Sequence, residues 1–338
     1  MKAYVLYSIN DIRYDSVEMP KCPEGWALVK VKAAGICSSD IARVFTKGTY
    51  HFPTIPGHEF SGVVSSVGSE KDSSWIGKHV GVFPLIPCKT CEQCKKKQYE
   101  MCSRYDYIGS RRDGGFAEYV AVPIWNLIEL PKSMSFVLAA MLEPLSVALH
   151  AIKIGGIKKG DSVAIIGTGM IGISAGQWAY KFGAKKVTVI GRNENKRKLV
   201  ESCGLCYQTC TDVQMVNQYD FVVEAVGSPS AISLAICAAL PGCTVLLMGN
   251  PFGNITLLQN HYWKILRKQL TLKGTWNSSY DGVNNSDWTE ALNALSKKEI
   301  NVSPLVTHIF EQDKLIDGLK LMFDHKEPYC KVMTIWKD

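Results

Sequence analysis

No apolar run follows the opening residues MKAYVLYSIN, so a secretory leader is not expected. Two stretches, Ser162 to Tyr180 and Ala225 to Trp263, lack Asp, Glu, Lys and Arg. The first is interrupted by Gly167, Gly169, Gly172 and Gly176, the second by Pro229, Pro241 and Pro251. Neither reads as a membrane span, which needs about 20 mostly apolar residues in one helix. Lys95, Lys96 and Lys97 form a tight basic run, and the net charge of +7 is otherwise scattered, which offers no nucleic-acid face. With 28 Gly and 14 Pro the chain is too poor in both for collagen or a low-complexity linker. There is no internal repeat. What remains is an ordinary globular composition, 46% apolar and 20% charged over 338 residues, enough for two domains and expected in the cytoplasm.

Cysteine is the exception, with 12 residues. In a cytoplasmic chain, clustered cysteines suggest metal before disulfide. Cys88, Cys91, Cys94 and Cys102 lie inside PCKTCEQCKKKQYEMC, spaced C-x2-C-x2-C-x7-C. Four thiolates can close around a tetrahedral zinc, leaving no place for water, so such a site holds a loop together. An iron–sulfur cluster uses related spacing. The lysine-rich loop favours zinc.

Up to about residue 150 the pattern is short β-branched runs, WALVKVKAAG, FSGVVSSVG, HVGVF and FAEYVAV, which predict an all-β lobe. From about Ile157 strands and helices alternate: DSVAIIG, MIGISAGQWAYKFG, KKVTVIG, NENKRKLVESCG, YDFVVEAVG, PSAISLAICAAL and GCTVLLMG. That rhythm predicts βαβ units and a doubly wound parallel sheet, so the fold class is α/β. A tail of DWTEALNALSKK, VTHIF, DKLIDGLKLMF and CKVMTIW is expected to return to the first lobe. The boundaries are residues 1–152 with 288–338 for the β-rich domain, its cysteine lobe at 86–104, and 153–287 for the parallel-sheet domain.

Gly167-Thr168-Gly169-Met170-Ile171-Gly172 fits G-x-G-x-x-G between a predicted strand and a predicted helix. Gly167 permits the turn, Gly169 lets backbone approach a pyrophosphate, and Gly172 lets helix and strand pack. The ribose-binding acid expected about 20 residues on is missing. Gly191 takes its place and Arg192 follows, with Lys196 and Arg197 nearby. Losing a carboxylate and adding a guanidinium favours a 2′-phosphate, so NADP(H) is expected over NAD(H). The other reading is an exposed arginine beside an NAD site in which Glu194 serves the ribose.

The segments GICSSD, GHEFSG, the four-cysteine lobe, DGGFAEY, LEPLSVALHA and GTGMIG occur, in this order, over essentially the whole chain. The sequence thereby resembles the zinc-dependent medium-chain alcohol and polyol dehydrogenases. YDYIGSRRDGGFAEY, PLIPCKTCEQC and KILRKQLTLKGTWN look like members acting on sugar-alcohol phosphates, which are NAD-linked; Gly191-Arg192 departs from that. The resemblance implies a GroES-like catalytic domain, a Rossmann domain, two zinc ions per chain and a homodimer or homotetramer. It makes Cys37, His58 and Glu59 ligands of a catalytic zinc, which keeps an open position for substrate. Glu143 ligates that zinc or holds its water. Ser39 starts a proton relay, and Asp40 orients His58.

The small-molecule partner is a polyol or polyol phosphate. A phosphate needs a cation, and Arg111 and Arg112, with Arg43 or Lys264, are the candidates. Adjacent side chains of an extended segment point opposite ways, so one arginine of the pair is expected to face substrate, Arg111 before Arg112. Otherwise the pair is a surface feature salt-bridged to Asp106 or Asp113. A sorbitol-, threonine- or butanediol-type enzyme is the alternative within the family. A non-catalytic nucleotide-binding scaffold and a zinc-ribbon nucleic-acid module are more remote.

Overall fold

The structure is a computed structural model that describes residues 1–211, 216–282 and 286–337. The chain forms two compact units. Met1–Pro144, Ser279–Ser296 and Val306–Asp338 make the first, Leu145–Ser278 and Lys297–Leu305 the second. The division falls at Pro144 rather than after residue 152, within the helix Leu142–Gly155. That helix is buried along most of its length, so its hydropathy does not mark the crossing. The short return of Lys297–Leu305 to the second unit is also absent from the sequence pattern.

The first unit is built on a seven-stranded sheet whose hub is the eleven-residue strand Trp26–Ile36. Its alternating Val and Ala pack into a core with Tyr4, Phe60, Phe116, Leu319 and Trp336. Glu59–Val67 pairs antiparallel with it on one side, and Lys331–Ile335 pairs antiparallel on the other. The register sets Gly35 against Glu59 and Ile36 against Val332. The end of the hub strand, the start of Glu59–Val67 and the start of Lys331–Ile335 therefore lie on one row of the sheet.

The second unit is built on a six-stranded parallel sheet in the order Cys206–Thr209, Lys186–Gly191, Ser162–Ile166, Tyr219–Glu224, Ala239–Leu247 and Thr271–Gly274. Numbered within the unit, that order is 3-2-1-4-5-6, the dinucleotide-binding winding. Its switch point lies between Ser162–Ile166 and Tyr219–Glu224, the place where such sheets take ligands. The helix Gln259–Lys268 and the edge strand Thr271–Gly274 lie in a stretch the sequence left unassigned. All four strand residues are exposed, so no alternation announces them.

One helical stretch, Phe136–Gly155, has the length and apolar composition of a membrane span, but 72% of its apolar window is buried inside the protein.

Candidate functional site

Two groups of metal-ligating side chains converge in the first unit, each with its donor atoms within 4.8 Å of one another. The first is Cys88, Cys91, Cys94 and Cys102. The sulfurs of Cys88 and Cys94 are 3.9 Å apart, and those of Cys91 and Cys102 are 3.8 Å apart. Zn–S bonds of about 2.3 Å in a tetrahedron put sulfurs about 3.8 Å apart, so the set fits zinc. None of the cysteines is in a disulfide. Hydrogen bonds from Thr90 lower Cys88 to about 5, and the backbone at Cys94 lowers Cys91 to about 7. Burial pushes Cys94 of the same set up to about 12, so the fit to zinc rests on the tetrahedral spacing of the four sulfurs.

The second group is Cys37, His58 and Glu59. Cys37 follows the last residue of the hub strand, and Glu59 opens the strand paired to it, so the Gly35–Glu59 register brings the donors together. His58 and Glu59 are buried, 4% and 2% exposed. His58 Nδ1 faces Asp40 Oδ1 at 3.4 Å, which leaves Nε2 for a metal. Asp40 is fully buried; it accepts from the Cys37 backbone N–H and from Arg43 Nη1, each at 3.0 Å. Burial alone would raise its carboxyl, but His58 and Arg43 hold it below the ordinary value. The donor set, one sulfur, one imidazole and one carboxylate, fits a zinc with a position left open. Glu143 is not among the three converging donors. Its Oε1 accepts from the Tyr107 hydroxyl at 3.3 Å, and burial pushes its carboxyl up to about 7.

In the second unit Gly167 has φ +122°, the conformation its turn demands. A Cβ on Gly172 would run into the Gly167 carbonyl, whereas one on Gly169 would meet nothing within 4 Å. The open space is where backbone can approach a ligand, as the glycine pattern requires. Gly169 is the N-cap of the helix Met170–Lys181, and no side chain caps that positive end. Lys196 Nζ reaches the Thr168 carbonyl at 3.4 Å, so it lies over the same loop. Arg192 is exposed. Arg197 is committed to Glu194 and lies over the Tyr207 ring.

Residues 23–132 match the alcohol dehydrogenase GroES-like domain, and residues 171–297 match the zinc-binding dehydrogenase family. The chain is 36% identical over 291 residues to galactitol 1-phosphate 5-dehydrogenase of Escherichia coli K12, covering 83% of this chain and 84% of that protein. This chain belongs to the zinc-dependent medium-chain alcohol and polyol dehydrogenases. The crystal structure of galactitol-1-phosphate dehydrogenase from Escherichia coli superposes with a TM-score of 0.91 at 33% identity, covering 99% of this chain and 100% of that one. A zinc-binding dehydrogenase from Sinorhizobium meliloti 1021 bound to NADP has a TM-score of 0.88 at 28% identity, covering 99% and 98%. An alcohol dehydrogenase from Escherichia coli CFT073 complexed with NADH has a TM-score of 0.88 at 26% identity, covering 99% of both chains.

This zinc-dependent dehydrogenase, an oxidoreductase, treats its four candidate substrate cations differently. Arg43 Nη1 donates to Ser39 Oγ at 2.9 Å as well as to Asp40. Arg111 lies between the rings of Tyr50 and Tyr105, 4.3 Å from each, and Nη1 donates to the Tyr105 carbonyl. Arg112 points out, half exposed, and pairs with Asp106. Lys264 belongs to the second unit, where its Nζ is 3.0 Å from Cys237 Sγ. The loop carrying the two arginines is packed onto the turn before His58. A Cβ on Gly109 or on Gly114 would strike the Gly57 carbonyl, and the Gly115 N–H donates to that same carbonyl at 2.7 Å. Two residues beside the metal donors escaped the sequence reading, Tyr107 and Lys331. Lys331 heads a mostly apolar strand, KVMTI, buried at its first four residues.

Proposed function

We propose that this dehydrogenase oxidises a secondary hydroxyl of a polyol or polyol phosphate, with galactitol 1-phosphate the first candidate, and that it uses NADP in preference to NAD. The observation that carries the phosphate reading is Arg111. Its guanidinium is clamped between two tyrosine rings on a loop fastened to the turn before His58. A preorganised guanidinium fork suits phosphate, and little side-chain freedom is left to lose on binding. The likeness to galactitol 1-phosphate 5-dehydrogenase supports the same reading.

Bound zinc supplies a Lewis acid for the substrate hydroxyl, and bound nicotinamide supplies a hydride acceptor. Cys37, His58 and Glu59 hold the catalytic metal, with Glu143 beside them as a further ligand or as a carboxyl that holds a proton near neutral pH. Asp40 fixes the His58 tautomer. Ser39 starts a proton relay, accepting the departing hydroxyl proton as it passes its own O–H proton onward; its oxygen already accepts from Arg43, which turns that O–H away from the arginine. Cys88, Cys91, Cys94 and Cys102 hold a second, structural zinc. Gly167, Gly169, Met170, Ile171 and Gly172 receive the pyrophosphate, and Arg192 with Lys196 meets the 2′-phosphate. The enzyme works in the cytoplasm as a homodimer or homotetramer.

Initial rates on sugar alcohols and their phosphates, each with NAD and with NADP, test the proposal. The highest kcat/KM is expected for a phosphate with NADP. A free polyol outperforming every phosphate overturns the substrate reading, and a higher value with NAD overturns the cofactor reading.

A further inference from the structure

Lys331 is a charged residue where a charge is expensive. It opens the strand Lys331–Ile335 with 4% of its side chain exposed. Its Nζ donates to the carboxylate of Glu59 and, at 3.1 Å, to the carbonyl of Ile36. Glu59 is a candidate metal ligand, and Ile36 directly precedes another, Cys37. One ammonium group thus ties together the side chain of one ligand and the backbone leading to a second, although Lys331 stands 272 residues from Glu59.

The sheet makes room for this tie. A Cβ on Gly35 would lie 2.7 Å from Lys331 Cε and closer still to Glu59 Oε2. Gly35 has no left-handed backbone conformation to explain it, so the space itself is what glycine provides there. An isolated buried carboxylate is costly, and before a metal arrives Glu59 would also face the sulfur of Cys37. A lysine on one carboxylate oxygen holds Glu59 in place and leaves its other oxygen for the metal.

We propose that Lys331 is the positioning residue of the catalytic metal site, and that the Gly35 gap exists to admit it. This rests on the reading that Cys37, His58 and Glu59 hold zinc. Lys331 touches neither substrate nor reacting atoms in this role; it acts through Glu59. Partners behind metal ligands commonly change metal affinity by about 10- to 100-fold when removed.

The test is zinc retention against a chelator of known affinity, with zinc per chain read by elemental analysis, on wild type, Cys37→Ser, Lys331→Met and Gly35→Ala. Cys37→Ser is expected to lose one zinc and keep the one held by Cys88, Cys91, Cys94 and Cys102. Lys331→Met is expected to bind that same first zinc about 10- to 100-fold more weakly while the four-thiolate zinc is unchanged. A general loss of structure would loosen both, so the selective loss is what marks positioning. Wild-type affinity for the first zinc in Lys331→Met overturns the proposal. Should Lys331→Met not fold, Gly35→Ala decides: it keeps the lysine but crowds the pair, and unchanged zinc affinity there overturns the proposal equally. If Cys37→Ser keeps both zinc ions, the metal-site reading itself fails, whatever Lys331 does.

Discussion

Tyr207 stands over Gly191. A Cβ on Gly191 would lie 2.9 Å from Thr168 Cγ2 and nearer still to the Tyr207 hydroxyl, closer than side chains tolerate. That hydroxyl donates to the Asn193 carbonyl and so pins the turn that presents Arg192. Gly191 is therefore glycine for room, and the place of a ribose-binding carboxylate is filled by a phenol from a neighbouring strand.

Cofactor preference cannot then be reversed at Gly191 and Arg192 alone. Gly191→Asp with Arg192→Ile should lower the melting temperature and weaken both cofactors, because overpacking costs about 1–3 kcal/mol. Adding Tyr207→Ala should make room and move the ratio of kcat/KM toward NAD. Arg192→Ala by itself should weaken NADP by about 10- to 150-fold, the worth of a charge-assisted pair to phosphate, and leave NAD unchanged. Equal effects of Arg192→Ala on both cofactors would refute the assignment.

The two metal groups should respond in opposite ways to mutation. Cys37→Ala should abolish turnover while the far-ultraviolet circular dichroism and melting temperature stay near wild type. Cys91→Ser should lower the melting temperature, since a closed zinc contributes folding energy outright. Protein expressed with ample zinc should carry two ions per chain by elemental analysis, and one or fewer would sink the two-site reading.

What could be read from the sequence was local. The four cysteines fall within one loop, and each strand and helix around the glycine turn announces itself over a few residues, as Ser162–Ile166 and Met170–Lys181 do. The candidate ligands at Cys37, His58 and Glu59 came from family resemblance, and the antiparallel register at Gly35 explains why they meet. Lys331 was invisible because its partner is set by pairing between chain-distant strands. Tyr207 was missed because its neighbour strand Lys186–Gly191 meets it only across the sheet. The helix Leu142–Gly155 runs on through the domain break and is buried along most of its length, so hydropathy did not mark the break.

Glu224 gives a pH dependence of stability. It ends the strand Tyr219–Glu224, and its carboxylate accepts from the backbone N–H of Val226 and of Gly227, each at 2.8 Å. Burial nevertheless holds its carboxyl above the ordinary value. The folded protein then keeps a proton that the unfolded chain, titrating at about 4.3, has released. Stability should fall as pH rises from about 4.3 through the raised folded value, by no more than about 1.4 kcal/mol per pH unit. Glu224→Gln keeps an acceptor oxygen for both N–H groups and should flatten that part of the curve. Denaturant melts at a series of mildly acidic pH values would show this, and identical slopes in both proteins would rule it out.

Self-association has a specific place to be tested. The edge strand Thr271–Gly274 is exposed at every residue, and exposed Leu272 and Trp276 lie on and beside it. Open edges invite pairing with another chain. Leu272→Glu with Trp276→Glu should lower the mass measured by light scattering, with the fold retained. An unchanged mass would overturn the assignment of this edge to self-association.

The two arginines should separate cleanly. Arg112 is paired with Asp106 and half exposed, where such a pair is worth little, at most about 1 kcal/mol. Arg111 is held by Tyr50, Tyr105 and the Tyr105 carbonyl, on a loop locked to Gly57. Arg111→Ala should therefore cut kcat/KM on a polyol phosphate by about 10²-fold, consistent with losing a charge-assisted pair of about 3 kcal/mol, and change the free polyol little. Arg112→Ala should change neither by more than a few-fold. Arg111→Lys should recover only part of the loss, because an ammonium can neither stack between two rings nor offer a planar fork. Loss on both substrates from Arg111→Ala would instead mark a structural arginine that holds the loop against Gly57. In that case the phosphate would have to be met by another cation.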